Sequence, residues 1–274
     1  MHKNYLKNFI KNIFFPVLKK KPDFIIIGAQ KAGTTSLYKY LIQHPLIMPN
    51  KTWKEIQYFD RIENYKKGFG WYLGNFPNKI GAKDKITCES SPDYLFSKCA
   101  PKRIKKSLGE IKLIMILRDP VERAYSAWTM YHSYHNNEFI HLKKQYDKRS
   151  LKEAILDEIN DPNASRNTPC YYIARGIYVD QIKNYLRYFN IKSILILDFF
   201  DLANNLDLLL NKTCDFIGIE RFGKNAIDEF SKQKFNANKY LDILDKDETF
   251  DKLCDYFLPY NRQLYNFLGY SFKW

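Results

Sequence analysis

A glycine-rich segment with one lysine is the part of the sequence whose residue types and spacing best indicate chemistry. Residues 28–36 read GAQKAGTTS and follow the apolar run at residues 24–27. Gly28 and Gly33 have the G-x-x-x-x-G spacing of a loop whose backbone N–H groups surround a phosphate, with the N-terminus of a helix behind it. The sequence therefore predicts an anion-binding loop between a strand and a helix.

The position of the lysine distinguishes this loop from that of nucleoside triphosphatases. Their loop needs a lysine directly after the second glycine, which reaches the β- and γ-phosphates, and then a Ser or Thr that holds Mg²⁺. Here Thr34 follows Gly33, and the lysine is Lys31, inside the loop. We expect Lys31 to lie beside a 5′-phosphate group, with no magnesium-binding hydroxyl. A nucleotide or small-molecule kinase with a degenerate loop stays open as an alternative.

Alternating strand and helix patterns predict the elements that position the loop. Apolar runs at 24–27, 111–117 and 193–197 are typical of buried parallel strands, and 85–88 is a weaker fourth. We expect helices after the loop and near 100–108, 121–135, 177–188, 202–217 and 251–267. The prediction is an α/β fold: one P-loop-like domain at 23–274, with a central parallel sheet, helices on both faces and an insertion at about 135–168.

Two motifs together resemble the sulfotransferases that use 3′-phosphoadenylyl sulfate (PAPS). QKAGTTSLY after a strand is similar to the family's 5′-phosphosulfate loop, and RDPVERAYS at residues 118–126 is similar to its 3′-phosphate motif. By this resemblance Arg118 and Ser126 hold the 3′-phosphate, and RGIY at 175–178 lies near the 3′-phosphate and adenine. The implied cofactor-binding residues are Gln30, Lys31, Ala32, Gly33, Thr34, Thr35, Ser36, Arg118, Ser126, Arg175, Gly176 and Tyr178.

A third motif resembles the heparan sulfate and related glycan branch of that family. KEIQYFD at residues 54–60 is similar to the K-E-x-H-F-F-D segment of these enzymes, whose glutamate is the catalytic base. The resemblance implies that Glu55 is the base and that Lys31 stabilises the leaving phosphate; a solvated charge is the alternative for Glu55. Gln57 replaces the family's histidine, and Ser91 replaces its usual lysine. The implied acceptor-side residues are Lys54, Gln57, Asp60, Trp71 and Ser91.

The resemblance also implies the reactants. PAPS is the expected donor, adenosine 3′,5′-bisphosphate (PAP) the product, and a hydroxyl or amine of a carbohydrate or glycolipid the acceptor. No metal is expected, because the donor brings an activated sulfate and the loop supplies the cation. His132 and His135 are three residues apart, but no third ligand accompanies them in the sequence.

The net charge indicates which ligands the protein attracts, and the cysteine content indicates its cellular compartment. Lys and Arg outnumber Asp and Glu by 44 to 30, a net charge of +14 that attracts anionic ligands of several kinds. A polyanion-binding module without catalysis therefore stays open, whereas no nucleic-acid-binding signature is visible. The five cysteines are widely spaced and odd in number, which indicates neither disulfides nor a zinc site and favours the cytoplasm.

The first 22 residues are predicted to form a basic amphipathic segment. They contain six lysines and no acidic residue, and Lys11 interrupts their apolar residues. This segment is too short and too charged to span a bilayer, and it has no small-residue cleavage site. We expect a helix that packs on the fold, with peripheral contact to an anionic membrane as the second interpretation. The sequence does not specify the acceptor or the oligomeric state.

Overall fold

The protein contains one parallel five-stranded sheet among its described residues. The computed structural model describes residues 2–51, 55–161, 170–232 and 246–274. The strands are β1 (Phe24–Gly28), β2 (Ile47–Pro49), β3 (Ile86–Ser90), β4 (Lys112–Leu117) and β5 (Ile194–Asp198), in the spatial order β2-β3-β1-β4-β5. Every neighbouring pair is parallel. The predicted fold class, α/β with a central parallel sheet, is confirmed.

The register brings the carboxyl ends of the central strands to one edge of the sheet. Phe24 of β1 pairs with Cys88 of β3 on one side and with Lys112 of β4 on the other. All five residues of β1 are buried, as expected for a central strand of a parallel sheet. The pairing continues past β3, where the Ser91 amide donates to the Ile26 carbonyl oxygen at 3.0 Å. Residues that directly follow β1 and β3 therefore lie close together.

The helices alternate with the strands along the chain. Within the described ranges they are α1 (His2–Leu18), α2 (Thr34–Leu41), α3 (Ile62–Tyr65), α4 (Phe69–Leu73), α5 (Asp93–Phe96), α6 (Ala100–Leu108), α7 (Pro120–His132), α8 (Ile140–Lys143), α9 (Leu151–Asn160), α10 (Tyr178–Leu186), α11 (Phe199–Asn204), α12 (Leu206–Ile217), α13 (Lys224–Lys232) and α14 (Lys246–Leu268). None of these helices combines the length and apolar character that crossing a bilayer requires.

Two compact units divide the described residues. The first comprises 2–29, 33–117 and 183–232 and contains the whole sheet. The second comprises 30–32, 118–182 and 246–274. Its core is built on α7, whose buried residues Ala124 and Trp128 belong to one cluster with Ile155 of α9 and Phe257 of α14. The loop before α2 and the chain that follows β4 thus contribute to the second unit.

Helix α1 packs on α4 through a glycine-rich contact in the first unit. The Asn12 side-chain oxygen accepts from the Gly70 amide at 2.6 Å, and its nitrogen donates to the Lys67 carbonyl oxygen at 3.1 Å. A side chain at Gly70 would collide with the backbone of Lys11, so glycine permits the close approach. The N-terminal segment is therefore a helix with one face on the fold.

Several elements differ from the sequence-based expectation. β2 has only three residues and pairs with β3 alone, so no recognisable apolar run marks it. The prediction of one continuous helix at 202–217 is wrong. Asn205, with φ −136° and ψ 50°, separates α11 from α12. Helix α9 lies within the predicted insertion and begins with a capping box, in which Ser150 and Glu153 bond each other's backbone N–H groups.

Candidate active site

The loop between β1 and α2 holds a lysine and a glycine in left-handed backbone conformations. Lys31 has a φ of 66°, and Gly33, the N-cap of α2, has a φ of 87°. A side chain at position 33 would collide with Leu202 and lie 3.1 Å from the ring of Phe199, so this position requires glycine. The first turn of α2 has no acidic residue. No carboxylate of that turn therefore neutralises the positive end of the helix dipole.

The rest of the loop offers hydroxyls and one buried oxygen. The first turn of α2 contributes one buried and two half-buried hydroxyl residues, namely Thr34, Thr35 and Ser36. Ala32 is fully buried. Gln30 Nε2 donates to the Tyr131 hydroxyl at 3.1 Å, while Gln30 Oε1 is buried with no hydrogen-bond partner among the described residues. A buried acceptor of this kind is costly to leave unpaired and is available to a ligand donor.

Arg118 directly follows β4 and connects the loop to the start of α7. Its Nε and Nη2 both lie 3.0 Å from Oε2 of Glu122, one turn later, and its Nη1 donates to the Lys31 carbonyl oxygen at 3.4 Å. The Tyr178 hydroxyl donates to the Arg118 carbonyl oxygen at 2.8 Å. The structure thus brings together Lys31, Arg118 and Tyr178, three of the predicted cofactor residues.

The other predicted 3′-phosphate residues lie in closely packed parts of the second unit. Ser126 is buried on α7, and Arg175 is 9% exposed in the turn before α10. Gln181 Nε2 donates to the carbonyl oxygens of residues 174, 175 and 177 at 3.1–3.3 Å and so fixes this turn. A side chain at Gly176 would lie 2.7 Å from the Phe257 ring. The backbone of this turn therefore has little freedom to move.

The predicted base lies in a segment of the first unit that is neither helix nor strand. Glu55 is exposed, and its Oε2 accepts from Gln57 Nε2 at 3.3 Å. Gln57 has a φ of 50°, and its amide donates to Ser91 Oγ at 3.3 Å. The structure brings Glu55, Gln57 and Ser91 together. Lys54, another of the predicted acceptor-side residues, lies outside the described residues.

Asp60 and Trp71 are each partly buried near the same segment. Burial, together with the charge of Asp93, raises the pKa of Asp60 to about 6. The Asp60 Oδ1 atom is buried and has no hydrogen-bond partner in the described part of the chain. Trp71 stacks on Tyr58 with 6.2 Å between ring centroids, and the Lys67 ammonium lies 4.4 Å from the centroid of the indole. Trp71 is thus packed in an aromatic cluster and half accessible.

Glu89 is a buried carboxyl that the sequence-based site did not include. It lies in β3, one residue from the carboxyl end, and is completely buried. It accepts hydrogen bonds from the hydroxyls of Tyr72 at 2.6 Å, Ser91 at 3.2 Å and Tyr94 at 3.4 Å. Burial raises the pKa of Glu89 to about 8, although these hydrogen bonds lower it. A carboxyl group near the end of a buried parallel strand was the available signal.

The two histidines considered as metal ligands have other contacts. His132 Nδ1 lies 3.0 Å from the Asp147 carbonyl oxygen, and the His132 ring stacks on Trp128 at 4.6 Å. His135 Nδ1 lies 2.7 Å from Oδ1 of Asn136. Among the residues that the structure describes, no group of three or more His, Cys, Asp or Glu side chains could hold a metal ion. Metal-independent activity stays a prediction.

Solved structures with the same fold include two sulfotransferases. The sulfotransferase from Alicyclobacillus acidocaldarius superposes with a TM-score of 0.65 and 24% identity, covering 92% of this chain and 97% of that one. A mouse sulfotransferase complexed with PAP gives a TM-score of 0.51 and 16% identity, covering 93% of this chain and 85% of that one. At these levels of sequence identity, the two similarities show a shared fold.

Curated relatives are similar in sequence over part of their length. Human bifunctional heparan sulfate N-deacetylase/N-sulfotransferase 3 is 32% identical over 206 residues, which are 72% of this chain and 22% of the relative. Mouse heparan sulfate glucosamine 3-O-sulfotransferase 5 is 34% identical over 183 residues, 66% of this chain and 49% of the relative. The chain thus spans at most about half the length of these two relatives. Because the sulfotransferase domain family also matches residues 21–255, the protein belongs to that family.

Proposed function

We propose that the protein transfers a sulfuryl group from PAPS to a hydroxyl or amine of a carbohydrate or glycolipid. The observation that carries this proposal is the loop that opens α2, with Lys31 inside it, Gly33 at its end and Arg118 bonded to its backbone. The relatives support a carbohydrate acceptor, because their names specify heparan sulfate and its glucosamine. The mouse structure with the same fold is a complex with PAP, which supports the donor.

The loop fits the phosphosulfate end of PAPS. Leu202 and Phe199 pack against position 33 and leave no room for a side chain, which holds the loop backbone in place, and the positive end of α2 favours an anion there. When bound, PAPS supplies an activated sulfate on a phosphate leaving group. Lys31 stabilises the negative charge that grows on the departing phosphate oxygen, and the N–H groups at the start of α2 assist. Preorganised cations and dipoles of this kind commonly provide the largest part of catalysis.

The second unit provides the groups that hold the 3′-phosphate. Arg118 exchanges part of its contact with Glu122 for the phosphate oxygens, and Glu122 keeps the guanidinium oriented in the meantime. Ser126 and Arg175 add a hydroxyl and a second cation, while Tyr178 holds the backbone of Arg118. Gly176 keeps the adjoining turn closely packed.

Glu55 takes the proton from the acceptor hydroxyl or amine. It is exposed and therefore accessible to an acceptor, and Gln57 restrains its carboxylate by a hydrogen bond. General-base catalysis by a positioned carboxylate contributes about 10²- to 10⁴-fold. Trp71, which is partly exposed, together with Asp60 and Lys54, is assigned to contacts with the acceptor. These acceptor-side residues determine which sugar is sulfated and at which position.

Nucleotide binding and two single-residue changes test the proposal. PAP should bind more tightly than 5′-AMP by a factor of about 10 to 100, since a charge-assisted contact contributes about 1.5–3 kcal/mol, and Arg118→Ala should remove most of the difference in calorimetry. Glu55→Gln should lower sulfuryl transfer by about 100-fold or more and leave PAP affinity unchanged. Equal affinity of the unmodified protein for PAP and 5′-AMP, or Mg²⁺-dependent phosphorylation by ATP that EDTA abolishes, would contradict it.

We also propose that α1 binds the surface of an anionic membrane. Its outward face, which we call the apolar face of α1, consists of Leu6, Phe9, Ile10, Ile13, Phe14 and Val17, each 46–70% exposed. Lys7 and Lys11 belong to the same helix, and the chain continues into Lys20 and Lys21 with no acidic residue before Asp23. A lipid surface with negative headgroups matches both the apolar residues and the lysines.

A further inference from the structure

The carboxyl group of Glu89 is held by hydroxyls that also contact the segment carrying Glu55. The Ser91 hydroxyl donates to Glu89 Oε2 at 3.2 Å and accepts from the Gln57 amide at 3.3 Å. The Tyr94 hydroxyl donates to the same oxygen at 3.4 Å and accepts from the Tyr58 amide at 2.9 Å. Two separate chains of hydrogen bonds therefore run from one buried carboxyl to two consecutive backbone N–H groups.

The direction of these hydrogen bonds follows from the chemistry of a hydroxyl. Each hydroxyl has one proton to donate and lone pairs to accept with, and a backbone N–H can only donate. Ser91 and Tyr94 therefore turn their protons to Glu89 and their lone pairs to the segment. The Tyr72 hydroxyl, 2.6 Å from Glu89 Oε1, donates to the ionised carboxylate and becomes the acceptor when Oε1 carries a proton, so Oε2 accepts from Ser91 and Tyr94 in either protonation state. The two hydroxyls therefore need a hydrogen-bond acceptor at the buried position of Glu89 Oε2.

The segment needs this support because its backbone is strained. Gln57 has a φ of 50°, a region that residues other than glycine adopt uncommonly, and such strain persists where the surroundings impose it. Asn64 Nδ2 donates to the Gln57 carbonyl oxygen at 2.9 Å, opposite the amide held by Ser91. In this conformation Gln57 Nε2 reaches Glu55 Oε2 at 3.3 Å. The orientation of the Glu55 carboxylate thus depends on the conformation of Gln57.

We propose that Glu89 is a positioning residue, which orients Glu55 through the hydroxyls of Ser91 and Tyr94 and the backbone of Gln57 and Tyr58. The role rests on the proposed function, because it acts through the proposed base. Glu89 itself is completely buried and does not touch the acceptor. Its effect is on how often Glu55 has the geometry for proton transfer, and therefore on kcat rather than on nucleotide affinity.

Two tyrosines provide a matched pair of variants. Tyr94→Phe and Tyr72→Phe each remove one buried hydroxyl that is hydrogen-bonded to Glu89, and both keep the ring. Tyr72 stacks on Tyr58 at 4.9 Å, a contact that phenylalanine preserves. Within the described residues, no hydrogen bond leads from the Tyr72 hydroxyl to residues 55–58. Only Tyr94→Phe therefore removes an acceptor from the segment.

Kinetics of these variants test the role of Glu89. Tyr94→Phe should lower kcat for sulfuryl transfer by about 10- to 100-fold, with the KM for PAPS and the affinity for PAP unchanged. Tyr72→Phe should stay within about twofold of the unmodified protein, and Glu89→Gln, whose amide oxygen still accepts, within about threefold. Glu89→Leu, which removes the acceptor, should lose as much as Tyr94→Phe. Equal losses in Tyr94→Phe and Tyr72→Phe would overturn the proposal.

Amide chemical shifts separate this proposal from the proposed function. In ¹H–¹⁵N spectra, Tyr94→Phe should shift the Tyr58 amide and, through the strained turn, that of Gln57, whereas Tyr72→Phe should leave both within the line width. These shifts require no turnover. If the unmodified protein transferred no sulfuryl group while the shifts followed this pattern, the proposed function would fail and the hydrogen-bond chains would stand. Unchanged Gln57 and Tyr58 amides in Tyr94→Phe would refute the chains themselves.

Discussion

Two residues that the sequence indicates for chemistry have a strained backbone. Within the described part of the chain, three residues other than glycine have a positive φ, namely Lys31, Gln57 and Tyr171. Lys31 is the predicted cation of the loop, and Gln57 restrains the predicted base. Strained residues of this kind are retained where the surrounding structure holds them in place. At Lys31 the carbonyl oxygen accepts from Arg118, and at Gln57 the side-chain amide donates to Glu55.

Gly33→Ala tests whether PAP binding depends on the close packing of Leu202 against the loop. Because position 33 combines a φ of 87° with collision against Leu202, the loop must shift, and we expect PAP affinity to fall at least about tenfold and unfolding free energy by about 1–3 kcal/mol. Gly109→Ala is the control for strain alone, since Gly109 has a φ of 74° and open space around it. That variant should lose stability in urea and keep PAP affinity. Unchanged PAP affinity in Gly33→Ala would contradict a ligand site at this glycine.

Single elements were predictable where a local pattern marks them. β1, β4 and β5 are apolar runs, and α6, α7, α10 and α14 follow the expected positions within a few residues. β2 could not be recognised, because three residues bring no periodicity and its pairing with β3 is a tertiary contact. The break at Asn205 involves neither a proline nor a glycine, the residues that most often mark such a break in a sequence.

Vesicle binding tests the apolar face of α1. The protein should bind vesicles that contain phosphatidylglycerol and bind phosphatidylcholine vesicles poorly, and added salt should weaken the binding. Phe9→Ser combined with Phe14→Ser should reduce binding by about tenfold or more, since burial of each ring contributes about 1.5–3 kcal/mol. Ile191→Ser is the control, because Ile191 is a half-exposed apolar residue outside α1. Equal binding of neutral and anionic vesicles would contradict the proposal.

At the scale of the whole molecule, local sequence motifs identified the candidate residues but not what holds them. The loop, the Arg118 motif and the Glu55 motif are each contiguous in sequence, so their residue types could be read directly. Glu89 is different, because its partners Tyr72 and Tyr94 are 17 and 5 residues away and converge only after folding. The positive net charge of +14 favours ionised carboxylates, yet burial dominates at Glu89. The environment of a buried group cannot be inferred from its neighbours in sequence.

That buried carboxyl predicts how global stability changes with pH. The pKa of Glu89 is about 8 in the folded protein, against an ordinary value of 4.5. Between these values the folded state keeps a proton that the unfolded chain releases. The free energy of unfolding contributed by this group is therefore fully present below pH 4.5 and falls as pH rises to 8, by up to about 1.4 kcal/mol per unit. Above pH 8 Glu89 no longer makes the free energy of unfolding depend on pH.

Urea unfolding of the protein and of Glu89→Gln isolates this contribution. The glutamine resembles the protonated carboxyl and does not titrate, so the stability of the unmodified protein relative to the variant should decline from pH 5 to pH 8 and then become constant. Asp60, with its pKa raised to about 6, adds a decline of the same sign between pH 4 and 6 in both proteins, and this largely cancels in the difference. A difference that stayed constant from pH 5 to 8, or that grew, would mean that Glu89 is ionised in the folded state at neutral pH.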